Sequence, residues 1–150
     1  MDAVKKRSLE DADEDTAEKK QAVLEMLTVA CVVENRARET VVAICRNWRS
    51  LEVFTLVDNP SYAETTDLLS QLAPDEILLH GNACQRGSKT LLCRKIESWR
   101  DELKGVSPPE IKPVSRAYFD QDRGAEFLRR VSMTQIDSEV MARYTVLGAA

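Results

Sequence analysis

The sequence predicts an α/β domain built on a mixed five-stranded sheet with helices on both faces. Three observations predict it. The chain has 150 residues, of which 43% are hydrophobic, enough for one core. Three short apolar segments rich in β-branched residues come first, within 27–57. The apolar period then changes from about two to about 3.6 and alternates between strand and helix to the end.

The three leading segments are Leu27 to Val33, Val41 to Cys45 and Leu51 to Val57. The first two are almost continuously apolar, as strands covered on both faces are. Asn35-Arg36-Ala37-Arg38-Glu39 and Asn47-Trp48-Arg49-Ser50 are polar connections short enough for antiparallel hairpins, so the segments read as a meander. After Asp58-Asn59-Pro60, Ser61 stands three residues before Glu64, the spacing of a capping box. Tyr62, Leu68, Leu69 and Leu72 then supply a helical stripe that stops at Ala73-Pro74. Glu76 to His80 forms a short fourth strand. Ser88 opens a second helix with Leu92, Ile96, Trp99 and Leu103 on one face, closed by Gly105. A fifth strand falls near Ile111 to Phe119, and Pro113 within it implies either an edge strand or a strand that begins after the proline. Asp120 or Asp122 caps a helix carrying Phe127, Leu128 and Val131. Asp137 caps a last one through Val140, Tyr144 and Leu147. The predicted order is βββαβαβαα, the arrangement of ribonuclease H-like domains.

Residues 1–26 read as a flexible, charged N-terminal tail, with a short helical turn around Gln21 to Met26, and residues 27–150 as the folded domain. The first 20 residues hold seven acids and five bases and few large apolar side chains, so ordering them buries too little surface to offset the lost chain entropy. Lys5-Lys6-Arg7 is a weak match to a nuclear-import signal. The formal charge of −4 lacks the basic excess with which proteins neutralise the phosphates of nucleic acid. No run reaches the roughly 18–20 apolar residues of a membrane span, and the charged N-terminus does not suit a secretory signal, so an intracellular protein without membrane contact is expected. Cys31, Cys45, Cys84 and Cys93 include no C-x-x-C pair, and His80 is the one histidine. No metal site is expected, and the cysteines read as small reduced hydrophobes.

Three constellations approach known chemistry. Gly81 to Thr90 lies between a strand and a helix like a phosphate-binding loop, yet five residues separate its glycines and Ser88 precedes Lys89, which loses the convergence on one phosphate. A ribonuclease H-type nuclease needs carboxylates converging on Mg²⁺. Glu34 ends the first strand and Glu64 lies on the first helix, but the fourth strand ends in His80-Gly81-Asn82, and Asp120 and Asp122 stand one strand further on. His80 and Cys84 are near in sequence but in no recognised nucleophile context. The expectation is therefore no catalytic, cofactor-binding or metal-binding residue and no cofactor; a Mg²⁺-dependent nuclease or junction resolvase is the alternative.

Three stretches carry a resemblance to a known family. They are Thr28 to Arg36 with Thr40 to Ile44; Phe54 through Asp58-Asn59-Pro60-Ser61-Tyr62 to Leu72-Ala73-Pro74-Asp75-Glu76-Ile77-Leu78-Leu79; and Tyr118-Phe119-Asp120, Gly124 and Glu126-Phe127-Leu128. In order and spacing they resemble the connector domain of MutS-type DNA mismatch-recognition proteins. The tail from Ala142-Arg143-Tyr144 to Ala149-Ala150 is similar to the start of the helix leading into that family's lever domain. Asn82-Ala83-Cys84, Gly87-Ser88 and Leu91 look closest to the meiotic MutS homologues, which promote crossovers and lack the mismatch-reading domain, whose Phe-x-Glu signature is absent here too. The resemblance implies a connector or interaction module of a MutS homologue in mismatch repair or meiotic recombination, and not an enzyme, since neither Walker motif of the family ATPase is present. It implies as partners the other domains or subunits of a MutS-type dimer and a MutL-type protein, with DNA met only through domains this chain lacks, and a nuclear location. It also implies a partial chain ending inside a helix.

Overall fold

The computed structural model describes residues 27–35, 38–105 and 107–131. The tail over 1–26, the turn at Gln21 to Met26, and the last helix from Asp137 with Val140, Tyr144 and Leu147 lie outside the described residues. Five strands form one mixed sheet: β1 (Thr28–Glu34), β2 (Glu39–Arg46), β3 (Ser50–Val57), β4 (Glu76–His80) and β5 (Glu110–Val114), in the order β3-β2-β1-β4-β5. Between them run α1 (Ala63–Leu72) and α2 (Leu91–Glu102), and α3 (Gln121–Val131) follows β5.

The predicted meander is present. β1 pairs antiparallel with β2 from Thr28↔Arg46 to Glu34↔Thr40, and β2 pairs antiparallel with β3 from Glu39↔Val57 to Arg46↔Ser50. Asn35 closes the first hairpin: its Oδ1 accepts from the Glu39 N–H at 2.9 Å and its Nδ2 donates to the Glu39 carboxylate at 2.7 Å. The second turns on Asn47 and Trp48, with φ of 52° and 56°, and the Arg49 N–H donates to the Arg46 carbonyl at 3.0 Å. β4 and β5 then add in parallel beside β1.

Strand alternation sorts the apolar residues onto two faces. Ala30, Val32, Val42, Ile44, Ile77 and Leu79 join Leu69 and Leu72 of α1 and Leu92, Cys93 and Ile96 of α2 in the main core. The smaller cluster on the other side holds Val41 and Ala43, with Cys31, Val33 and Val53 against them. On α3, Ala125 and Leu128 are buried and Phe127 is half-exposed. The Trp99 indole N–H donates to the Ser70 hydroxyl at 2.8 Å and ties α2 to α1.

Several local expectations need correction. Ser61 does not cap α1: its N–H and hydroxyl both donate to the Asn59 side chain, and the residue before the helix is Tyr62, at φ 55°. Asp58 takes over the capping, its carboxylate accepting from the Thr65 N–H at 2.9 Å. Three residues further back, it reaches the first turn because the chain doubles over Pro60 and Ser61, the Tyr62 N–H donating to the Asn59 carbonyl at 2.9 Å. Helix α2 begins at Leu91 rather than at Ser88, because the Thr90 hydroxyl accepts from the Cys93 N–H at 3.2 Å. It ends at Glu102, before the expected Gly105. The fifth strand stops at Val114, where the Ser115 hydroxyl starts a 3-10 turn over Arg116–Tyr118. It is an edge strand that contains Pro113, not one that begins after it. Between the two candidate caps of α3, Asp120 acts, accepting from the Arg123 N–H at 3.0 Å.

Asp75 sets the base of the parallel pairs. Its carboxylate accepts from the Thr28 N–H at 2.8 Å, its N–H donates to the Thr28 carbonyl at 2.8 Å, and its own carbonyl accepts from the Glu110 N–H at 2.9 Å. Beta strands 1, 4 and 5 therefore start from one residue. Just before it, Ala73 ends α1 in the left-handed region (φ 45°, ψ 59°) with its N–H on the Leu69 carbonyl. Glycine tolerates that conformation without steric cost. Ala73→Gly is expected to stabilise the domain by roughly 0.5–1 kcal/mol, whereas Ile44→Ala in the main core costs about 2–5 kcal/mol; urea unfolding of the two variants beside the parent checks both signs.

Candidate functional site

Strands β1 and β4 run side by side in parallel, Val29↔Glu76 to Val32↔Leu79, so their carboxyl ends open together. Ligands of α/β sheets collect at such carboxyl ends, where connections leave in different directions. A cleft of about 250 Å³ lies there, lined by Val32, Val33 and Glu34 of β1, Leu79 and His80 of β4, and Asn82, Ala83, Thr90 and Leu92 of the following turn and helix.

Three polar side chains on this rim, Glu34, His80 and Thr90, have hydrogen-bond partners. The Glu34 carboxylate accepts a hydrogen bond from the hydroxyl of Tyr62, a residue only 5% exposed. Burial first, then the hydrogen bond and charge of Glu34, push the Tyr62 phenol up to about 12. His80 accepts the Asn82 N–H on Nδ1 at 3.1 Å, and its ring meets Phe119 with centroids 5.2 Å apart. An Nδ1 that accepts leaves the proton of the neutral ring on Nε2. His80 thus fastens the turn Gly81–Cys84 to the end of β4. A Cβ on Gly81 would stand 3.2 Å from the Val114 carbonyl oxygen of β5, so a larger residue there would press β5 aside by a few tenths of an ångström.

The three constellations singled out in the sequence come out differently. The loop Gly81 to Thr90 does not form a phosphate cradle. Its Ser88 and Thr90 N–H groups donate to the Gln85 and Ala83 carbonyls at 3.1 and 3.0 Å, and the Lys89 ammonium sits on both carboxylate oxygens of Glu97 at 2.6 and 2.8 Å. That hydrogen bond raises the Lys89 pKa. Of the nuclease carboxylates, the cleft gathers Glu34 alone; His80 and Asn82 stand where a second acid is required, Glu64 is exposed on α1, and Asp120 is occupied as the α3 cap. Among the described residues no group of three or more His, Cys, Asp or Glu could hold a metal ion. His80 and Cys84 belong to the same turn, but the Cys84 sulfur faces Cys93 at 3.2 Å.

Two pairings escaped the sequence reading. Tyr62 and Glu34 are 28 positions apart, and Tyr62 counted only as part of a helical stripe. Cys84 and Cys93 lack the C-x-x-C spacing, although a cysteine in a strand-end turn and another in the first turn of the next helix are placed to meet. Two further hydroxyls, of Thr40 and Thr65, are fully buried with no hydrogen-bond partner among the described residues.

The Tyr62 phenol gives a pH signature. Raised in the folded state from 10.0 to about 12, it contributes stability that is complete below pH 10 and lost as pH rises from 10 to 12. At pH 11 the loss amounts to about 1 kcal/mol. The thiols of Cys31 and Cys93, both pushed up to about 12 by burial, act in the same direction from their ordinary 9.0 upward. Tyr62→Phe removes the phenol's share only. Denaturant titrations at pH 8 and pH 11 should therefore show a smaller alkaline loss in Tyr62→Phe than in the parent.

Comparison with known proteins gives two findings that diverge. The family model described as violacein biosynthetic enzyme VioE matches residues 13–145. MutS protein homolog 4 of Mus musculus is 32% identical over 96 residues, 62% of this chain and 9% of that protein. MutS protein homolog 4 of Homo sapiens is 28% identical over 95 residues, 61% of this chain and 10% of that protein. The chain spans about a tenth of the length of these curated relatives. The first finding has the wider span; the second agrees with the coarser part of the resemblance drawn from residues 27–150, to MutS-type proteins in general. By the extent of the family-model match the chain belongs to the VioE family, and over about three-fifths of its length it is related in sequence to MutS protein homolog 4.

Proposed function

We propose that this chain is a non-catalytic connector or interaction module of a MutS homologue acting in DNA mismatch repair or meiotic recombination. The observation that carries the reading is the identity to MutS protein homolog 4 together with the predicted five-stranded sheet. The module joins neighbouring domains or subunits of a MutS-type dimer, offers a surface to a MutL-type protein, and works in the nucleus. DNA is met through other domains.

The cleft supports a mechanical role over a chemical one. A hydrolytic site needs a base within reach of its proton and a second group to orient it. Glu34 instead accepts the Tyr62 hydroxyl, and the Nδ1 of His80 accepts the Asn82 N–H, so the first ties the end of β1 to the start of α1 and the second ties the end of β4 to the turn after it. The biosynthetic activity in the VioE description belongs to that enzyme.

The purified chain is expected to bind the remaining domains of a MutS homologue or a MutL-type protein in calorimetric titration, and to leave homoduplex, mismatched and junction DNA uncut with Mg²⁺ present. Its own DNA affinity should be no tighter than the roughly 10⁻⁴–10⁻⁶ M of non-specific binding at physiological salt. Mg²⁺-dependent cleavage abolished by Glu34→Ala would overturn the proposal in favour of a nuclease. Absence of binding to either class of partner would overturn the connector role.

A further inference from the structure

Cys84 and Cys93 form a pair to which the connector reading assigns no chemistry. Cys84 closes the 3-10 turn after β4, and Cys93 is the third residue of α2. Their sulfurs are 3.2 Å apart, with the Cys93 thiol donating to Cys84 Sγ. A disulfide has its sulfurs about 2.0 Å apart, so bonding requires an approach of about 1 Å, within the reach of small side-chain rotations. The backbone already holds the two ends of the loop together: the Thr90 N–H donates to the Ala83 carbonyl at 3.0 Å, and the Thr90 hydroxyl accepts the Cys93 N–H at 3.2 Å. Among the described residues the two partners also differ in access, Cys84 being partly exposed and Cys93 fully buried.

We propose that Cys84 and Cys93 form a reversible thiol–disulfide site, oxidised by exchange with a low-molecular-weight disulfide. The Cys84 thiolate attacks one sulfur of the reagent, the reagent's S–S bond breaks, and one thiolate leaves. Cys93 then gives up its proton and attacks Cys84 Sγ, displacing the second thiolate. Two protein thiols lose two electrons and two protons, and the reagent disulfide becomes two thiols. Access decides the order, since the reagent reaches Cys84 and only the neighbouring sulfur reaches Cys93. The new bond would fasten the wall of the cleft, because Ala83, Thr90 and Leu92 of this loop line it.

The test uses the full 150-residue chain. It is equilibrated with oxidised glutathione, quenched in acid, unfolded, alkylated with a maleimide and weighed by mass spectrometry. The expected result is loss of two of the four alkylatable thiols, with peptide mapping placing the bond between Cys84 and Cys93 and dithiothreitol restoring all four. Cys93→Ser is expected to stop at a mixed disulfide on Cys84, and Cys84→Ser to leave residue 93 unmodified. A parent chain that keeps all four thiols, halts at the glutathione adduct, or links Cys31 or Cys45 instead would overturn the proposal. The measurement on the parent decides even where a variant fails to fold.

Discussion

The register between β1 and β4 is the constraint on which the rest of the site depends. Parallel strands have no turn to fix their alignment, so something else must, and a slip of one residue would send each core side chain to the opposite face. Here the work falls to Asp75, whose side chain, N–H and carbonyl bind the first residues of β1 and β5 to the start of β4. With that end pinned, Ala30 and Val32 stand opposite Ile77 and Leu79, and all four enter the main core. The same alignment brings Glu34 and His80 to one rim.

Burial then determines what that rim can do. A carboxylate near an apolar core is costly unless a donor satisfies it, and the buried Tyr62 hydroxyl is that donor for Glu34. The result is a brace between the end of β1 and the start of α1, not a free base. His80 does the equivalent for β4, through a backbone N–H on one side of its ring and Phe119 against the ring. A shape that resembles a site of α/β enzymes is in this way filled by groups that stiffen the connections. Fold alone does not decide between a mechanical and a catalytic use of such a rim.

Surface ion pairs contribute less to this picture than their distances suggest. Lys112 lies 2.6 Å from Glu76 and Lys89 2.6 Å from Glu97, yet solvent screens both pairs. Their value is local. The first spans neighbouring strands β4 and β5, and the second holds the loop after β4 against α2, next to the paired cysteines.

By itself the sequence determined the class of the fold and the position of its strands, because those rest on local signals. β-Branched runs, hairpin-length polar links and the change of apolar period placed β1 to β4 within a few residues of where they lie, and Pro113 pointed to an edge as one of two readings of the fifth strand. The misplaced helix starts have a common cause. Ser61 and Ser88 carry the right chemistry for a cap, but Asn59 claims the first, and the Thr90 hydroxyl takes the cap at α2. Sequence spacing could show which residues are able to cap, not which competitor gets there first. Tertiary structure alone decided the pairings Tyr62 with Glu34 and Cys84 with Cys93. Such contacts are fixed by how strands and helices pack across the core, and no periodicity along the chain encodes a distance through space.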